Sequence, residues 1–97
     1  MDFSFEYQDV EFVWDVEKAK GNEAKHGITF ESAATVFFDP FAKVTDATDS
    51  DEQRDAVIGF DSAARLLFVV HVQQEDDRIR IISARRATRD EESFYAN

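Results

Sequence analysis

A chain of 97 residues is long enough for one hydrophobic core and too short for two, so a single domain over 1–97 is expected. Its 43% hydrophobic content, with ten Phe against three Gly and one Pro, excludes low-complexity disorder, and the absence of Cys excludes disulfides, thiolate nucleophiles and Cys-based zinc sites. The formal net charge of −10 comes from 21 acidic against 11 basic residues, with the excess concentrated in residues 1–52.

The opening stretch "MDFSFEYQDVEF" carries acids where a secretion signal needs basic and then apolar residues. The longest apolar run, "LLFVVHV", is far shorter than a bilayer span. A cytoplasmic protein without membrane contact is expected.

"VEFVW" at 10–14 alternates β-type residues and reads as a strand, and Asp15 is placed to cap a helix over 16–26. Lys25 and His26 fall in the last turn, where the helix dipole favours positive charge, and Gly27 suits the left-handed position beyond it. Gly21 weakens that helix by about 1 kcal/mol relative to Ala. Thr29 can cap a second helix, "FESAATVFF", which "DP" ends.

Strand patterns follow in "AKVTD", "RDAVIGF", "RLLFVVHV" and "RIRIIS", joined by short polar turns that favour an antiparallel meander. The run Leu66 to Val70 is apolar on both faces, which predicts a central strand covered on both sides. Thr88 and Glu91 have capping-box spacing and open a last helix, "RDEESFYA". The order β-α-α-β-β-β-β-α describes an α+β domain.

Five of the seven arginines lie between Arg78 and Arg89 with no acidic residue among them. Arg78 and Arg80 alternate with Ile79 and Ile81 on a strand, while Arg85 and Arg86 are expected at the junction with the last helix. Guanidinium groups offer planar donor forks to phosphate oxygens, so the cluster can hold an RNA backbone. The competing reading is pairing with the protein's own carboxylates.

Two histidines are available for proton transfer, His26 and His71, and either can instead be structural. His71 shares a strand face with Arg65, Leu67 and Val69; whether Arg80 joins them depends on the register across 73–77. The acidic stretch "DATDSDEQRD" lacks the Gly and terminal Glu of a calcium loop and reads as solvated, and no metal or cofactor site is expected. Trp14 and the Phe residues follow core spacing. No Gly-rich phosphate loop or GxSxG elbow is present.

"FVWDVEKAKGNEAKHGITFESAATVFFDP", "IGF", "LLFVV" and "IRIISARRAT", in that order, resemble the BrnT-type toxins of bacterial type II toxin–antitoxin pairs from about Phe12 to Tyr95. "KHGITFE" and "IRIISARRAT" together form the specific part. The resemblance implies a RelE-like fold, an antiparallel sheet packed with two N-terminal helices and one C-terminal helix. It also implies a metal-independent ribonuclease that inhibits translation, and a BrnA-type ribbon-helix-helix antitoxin through which operator DNA is bound.

The implied chemistry is attack of an RNA 2′-OH on the adjacent phosphorus. The candidates are His26 or His71 for proton transfer, Lys25 for phosphate stabilisation or proton donation, and Arg80, Arg85 and Arg86 for the phosphate, with Arg65, Arg78 and Arg89 binding nucleic acid. A charge of −10 repels RNA at long range. The alternative is therefore a weak or inactive homologue that binds antitoxin in operon autoregulation, and a housekeeping RNA-binding protein is a third class.

Overall fold

A computed structural model describes residues 1–97. Gln8 and Asp9, at φ 50° and 67°, make the tight two-residue turn whose twist suits a hairpin, joining β1 (Asp2–Tyr7) to β2 (Val10–Asp15). The sequence reading contains no strand at β1. Its mark is the alternation of Phe3, Phe5 and Tyr7 with polar residues, and those rings pack on Trp14 and Phe38.

Asp15 accepts the Lys18 N–H at 3.0 Å and starts α1 (Val16–His26), which ends on Gly27 at φ 71°. Thr29 caps α2 (Phe30–Thr35) through the Ser32 N–H at 3.1 Å. The helix expected through Phe38 stops sooner, and Val36–Phe38 tightens into a 3-10 turn. The run Thr35-Val36-Phe37-Phe38 is β-branched and aromatic, and the Thr35 hydroxyl bonds back to the Ser32 carbonyl at 2.6 Å.

The strands β3 (Lys43–Asp46), β4 (Asp55–Phe60), β5 (Leu66–Gln73) and β6 (Ile79–Arg86) form the expected antiparallel meander. The final helix, α3 (Arg89–Ala96), opens with the Thr88 and Glu91 capping box. The sheet order is β1-β2-β6-β5-β4-β3, and β2 lies parallel to β6 through Phe12 opposite Ile79 and Val13 opposite Arg80. This six-stranded, mostly antiparallel sheet with three helices is an α+β fold.

One face carries the core: Phe12 and Trp14 of β2, Val57 of β4, Leu67 and Val69 of β5, and Ile81 and Ala84 of β6 pack against Ile28, Phe30, Ala33, Ala34 and Val36. The expectation that β5 is covered on both sides is corrected. Leu67, Val69 and His71 are buried, but Leu66, Phe68, Val70 and Val72 on the other face are only half-buried. Only α3 packs on that second face, near Phe68 and Ile58, and none of its own residues is buried.

Strand β6 also runs further than expected, to Arg86, and holds one extra residue. Val70 lies opposite Ser83 and the next residue, His71, opposite Ile81, so Ile82 is a bulge. Buried positions in β6 are accordingly three apart, Ile81 and Ala84.

Asn22 of α1 joins the helices to this strand. Its amide donates to the carbonyls of Ile28 at 3.0 Å and Ala84 at 2.8 Å, and its oxygen accepts the Ala84 N–H at 3.0 Å. The Ile81-to-Ala84 step leaves Ala84 facing α1, and Asn22 satisfies both its backbone groups there. His71 sits deeper in the same core, edge-on to Phe37 with ring centroids 4.8 Å apart, and Nδ1 lies 3.4 Å from the Val69 carbonyl. Burial holds its pKa below the ordinary histidine value.

Asn22→Ala strands two carbonyls and an N–H in the interior and should lower unfolding free energy by about 2–4 kcal/mol in urea titrations. A loss under about 0.5 kcal/mol would show that water replaces the amide. For His71 the folded state prefers the neutral ring, so its stability contribution is complete above the unfolded pKa of about 6.5 and declines as pH falls through the lower folded value. Between pH 8 and 5, wild type should therefore lose stability relative to His71→Leu; parallel stability curves would exclude this.

Candidate functional site

The bulge decides which arginines share a surface. Arg80 lies opposite Val72 and Arg85 opposite Phe68, so both project from the half-exposed face of the sheet although their numbers differ in parity. His71 projects from the other face, opposite Ile81. The register left open by the sequence thus separates His71 from Arg80 and Arg85.

Arg80 does not stand free. Its Nη1 and Nη2 donate to the two carboxylate oxygens of Asp2 at 3.2 and 2.7 Å, an end-on fork. The hydrogen bonds that Arg80 donates to Asp2 are the chief cause that raises the Arg80 pKa and lowers that of Asp2. Glu52, whose carboxylate approaches Arg54 Nε at 3.5 Å, adds negative potential at Arg80. Arg78, two residues before Arg80, is half-buried, and its Nε has no hydrogen-bond partner.

Arg85 is braced from two sides. Its guanidinium lies 4.3 Å from the Phe68 ring centroid and forks to both oxygens of Glu91 at 2.8 and 2.9 Å. Glu91 is itself fixed by the Thr88 N–H at 2.8 Å, so the cap of α3 orients the arginine. The Arg85 hydrogen bond holds the Glu91 carboxyl below its ordinary pKa, and Glu91 correspondingly raises that of Arg85. Arg85 and Arg86 are the last two residues of β6, immediately before Ala87 and the Thr88 cap of α3, so the strand itself carries them to the junction with the last helix.

Arg86 points the opposite way from Arg85, being opposite Leu67 on the helix-bearing face, and it is exposed. On the same side Lys25 and His26 end α1, both exposed. None of Lys25, His26 and Arg86 is in an ion pair. Asn22 binds α1 to Ala84; His26 is one helical turn beyond Asn22, and Arg86 is two residues beyond Ala84.

The remaining candidates are scattered. Arg65 is locked to Asp61 in the β4–β5 turn, with Nε at 2.8 Å and Nη2 at 2.7 Å from Oδ2. Arg89 is exposed in the first turn of α3. Nowhere do three or more His, Asp or Glu side chains come together in a way that could hold a metal ion, and the 46–55 segment is no exception. No helix is long and apolar enough to cross a membrane.

Sequence reasoning missed Asn22, Asp2 and the second role of Glu91. Glu91 was legible only as a cap, and Asp2 carries no local signal because its partner is 78 positions away. Asn22 was the most accessible: a residue with weak helix preference in mid-helix is a sign that its amide has a tertiary partner.

A family of ribonuclease toxins, BrnT, of type II toxin–antitoxin systems matches residues 14–91. Among solved structures, the 1.1 Å crystal structure of the Brucella abortus ribonuclease toxin BrnT is similar, with TM-score 0.61 and 28% identity, over 78% of this chain and 94% of that one. The search of curated proteins returned no match. With its family match spanning α1 through the capping box of α3, the chain belongs to the BrnT family of ribonuclease toxins of type II toxin–antitoxin systems.

Proposed function

We propose that this protein is a metal-independent endoribonuclease toxin, a single BrnT-like domain of RelE-like type that acts in the cytoplasm and inhibits translation. The observation that carries the reading is the set of exposed basic side chains outside any ion pair on either side of the Asn22–Ala84 joint: Lys25 and His26 on α1, and Arg86 on β6. They combine the one exposed imidazole with two positive groups, which is what transesterification at phosphorus requires.

In this reading the RNA 2′-oxygen loses its proton to His26 and bonds to the adjacent phosphorus. The P–O5′ bond breaks and the leaving oxygen takes a proton, with Lys25 as donor. Arg86, on the same side as Lys25 and His26, stabilises the charge on the phosphoryl oxygens, and Arg85 holds the neighbouring phosphate. Arg85 and Arg86 are adjacent and point to opposite faces, so they carry the RNA around the end of β6. Arg80 and Arg78, about 15 Å or more back along the strand, then hold flanking phosphates, with Arg89 nearby in sequence on α3. His71 serves the core, and Arg65 the β4–β5 turn.

The partner in this reading is a BrnA-type ribbon-helix-helix antitoxin that covers the arginine surface and binds operator DNA. A second reading is supported by the carboxylates on Arg80 and Arg85: a weak or inactive homologue that binds antitoxin for operon autoregulation. RNA cleavage by the purified protein separates the two, because antitoxin binding without cleavage belongs only to the second.

Arg86→Ala should lower kcat/KM for RNA about 10- to 100-fold, the usual effect of removing a charge-assisted phosphate contact, with the melting temperature nearly unchanged. His26→Ala should act mainly on kcat, and His71→Leu should keep cleavage in whatever fraction remains folded. Full activity in both Arg86→Ala and His26→Ala would remove the proposed site. Cleavage should also persist in excess EDTA, since no side-chain cluster suits a metal; abolition reversed by one divalent ion would overturn the metal-independent mechanism.

A further inference from the structure

The Arg80–Asp2 fork ties an edge strand to an interior one: Asp2 opens β1, and Arg80 lies in β6 with β2 between them. Register makes the meeting unavoidable. Asp2 pairs with Asp15, Val13 is opposite both Ser4 and Arg80, and the side chains of Asp2, Val13 and Arg80 all project from the half-exposed face. Asp2 lies outside the residues that match the toxin family, which begin at Trp14.

A carboxylate engaging both terminal nitrogens of a guanidinium occupies the donor pair that a phosphate would use. Positioning for catalysis would leave that edge open. Here it is closed, while Asp15 and then Glu52 add further negative potential at Arg80. The Arg80 side chain remains partly accessible, 26% exposed against 53% for that of Asp2, so a polyanion that displaces the carboxylate meets the arginine at the surface.

We infer that Asp2 is an intramolecular competitor for RNA phosphate at Arg80, an autoinhibitory contact built into the N-terminal hairpin. This rests on the ribonuclease reading for its meaning and on RNA binding for its test. Exposed ion pairs are weak, so the contact tunes affinity and does not block the surface.

The test measures binding of a fluorescent single-stranded RNA oligonucleotide at low salt to wild type, Asp2→Asn, Arg80→Gln and the double variant. Glu6→Gln, on the same strand, serves as a control for net charge. Asp2→Asn should bind about two- to fivefold more tightly than Glu6→Gln, and the gain should vanish in the Arg80→Gln background. Equal affinity of Asp2→Asn and Glu6→Gln, or a gain that survives Arg80→Gln, would overturn the inference. So would a loss of RNA cleavage in a folded Asp2→Asn protein, which would make Asp2 a positioning residue. Cleavage assays on the same samples keep the two readings apart: tighter binding with no cleavage by any variant sinks the ribonuclease and leaves the contact standing, whereas cleavage by wild type with no gain on Asp2→Asn does the reverse.

Discussion

The single extra residue in β6 sets what each face of this molecule presents. A strand alternates strictly, so residues five apart such as Arg80 and Arg85 belong on opposite faces. With Ile82 as a bulge they come to the same face, and Ile81 and Ala84, three apart, both reach the core. Remove the bulge and either Arg80 or Arg85 would be driven toward Phe12, Trp14 and Leu67. A buried guanidinium without a partner is among the costliest states a core can hold, so the bulge and the hydrophobic pattern enforce one another.

The same irregularity gives α1 its anchor. Ala84 is small and fully buried, and its backbone N–H and carbonyl both meet the Asn22 amide, which also holds the Ile28 carbonyl in the turn to α2. One side chain therefore fixes the helix pair to the central sheet, with two hydrogen bonds to Ala84 of β6 and one to Ile28 in the turn between the helices. Lys25, His26 and Arg86 inherit their positions from that joint, each within a turn of helix or two residues of strand from it.

An acidic protein that collects arginines can use them in two ways, and this one uses both. Arg65, Arg80 and Arg85 face carboxylates of their own chain, Asp61, Asp2 and Glu91, whereas Arg86 and Arg89 are exposed outside any ion pair. The pairs differ in character. Arg85 is held on Phe68 by a glutamate that is itself part of a helix cap, which restricts its motion; Arg80 is held by a residue at the end of an edge strand, which a competitor can replace. The first arrangement lies wholly within residues 14–91, which match the family, while the second depends on a hairpin that begins before them.

Much of the architecture was determined by the sequence itself, because its signals are local. Asp15, Gly27, Thr29 and the Thr88–Glu91 pair bound helices through contacts within four residues, and the β-branched and apolar runs in 54–60 and 65–72 mark strands from their own residues. The resemblance in "KHGITFE" and "IRIISARRAT" likewise lay in contiguous residues. Tertiary structure alone decided the faces. Nothing near Ile82 in the sequence announces a bulge, the parallel seating of β6 beside β2 joins residues more than sixty positions apart, and the Asp2–Arg80 and Asn22–Ala84 bonds span 78 and 62 positions. An acid-free stretch of arginines therefore looked free of carboxylates only along the chain; folding brought Asp2 and Glu91 to it, since a charge seeks its partner through space and not through sequence.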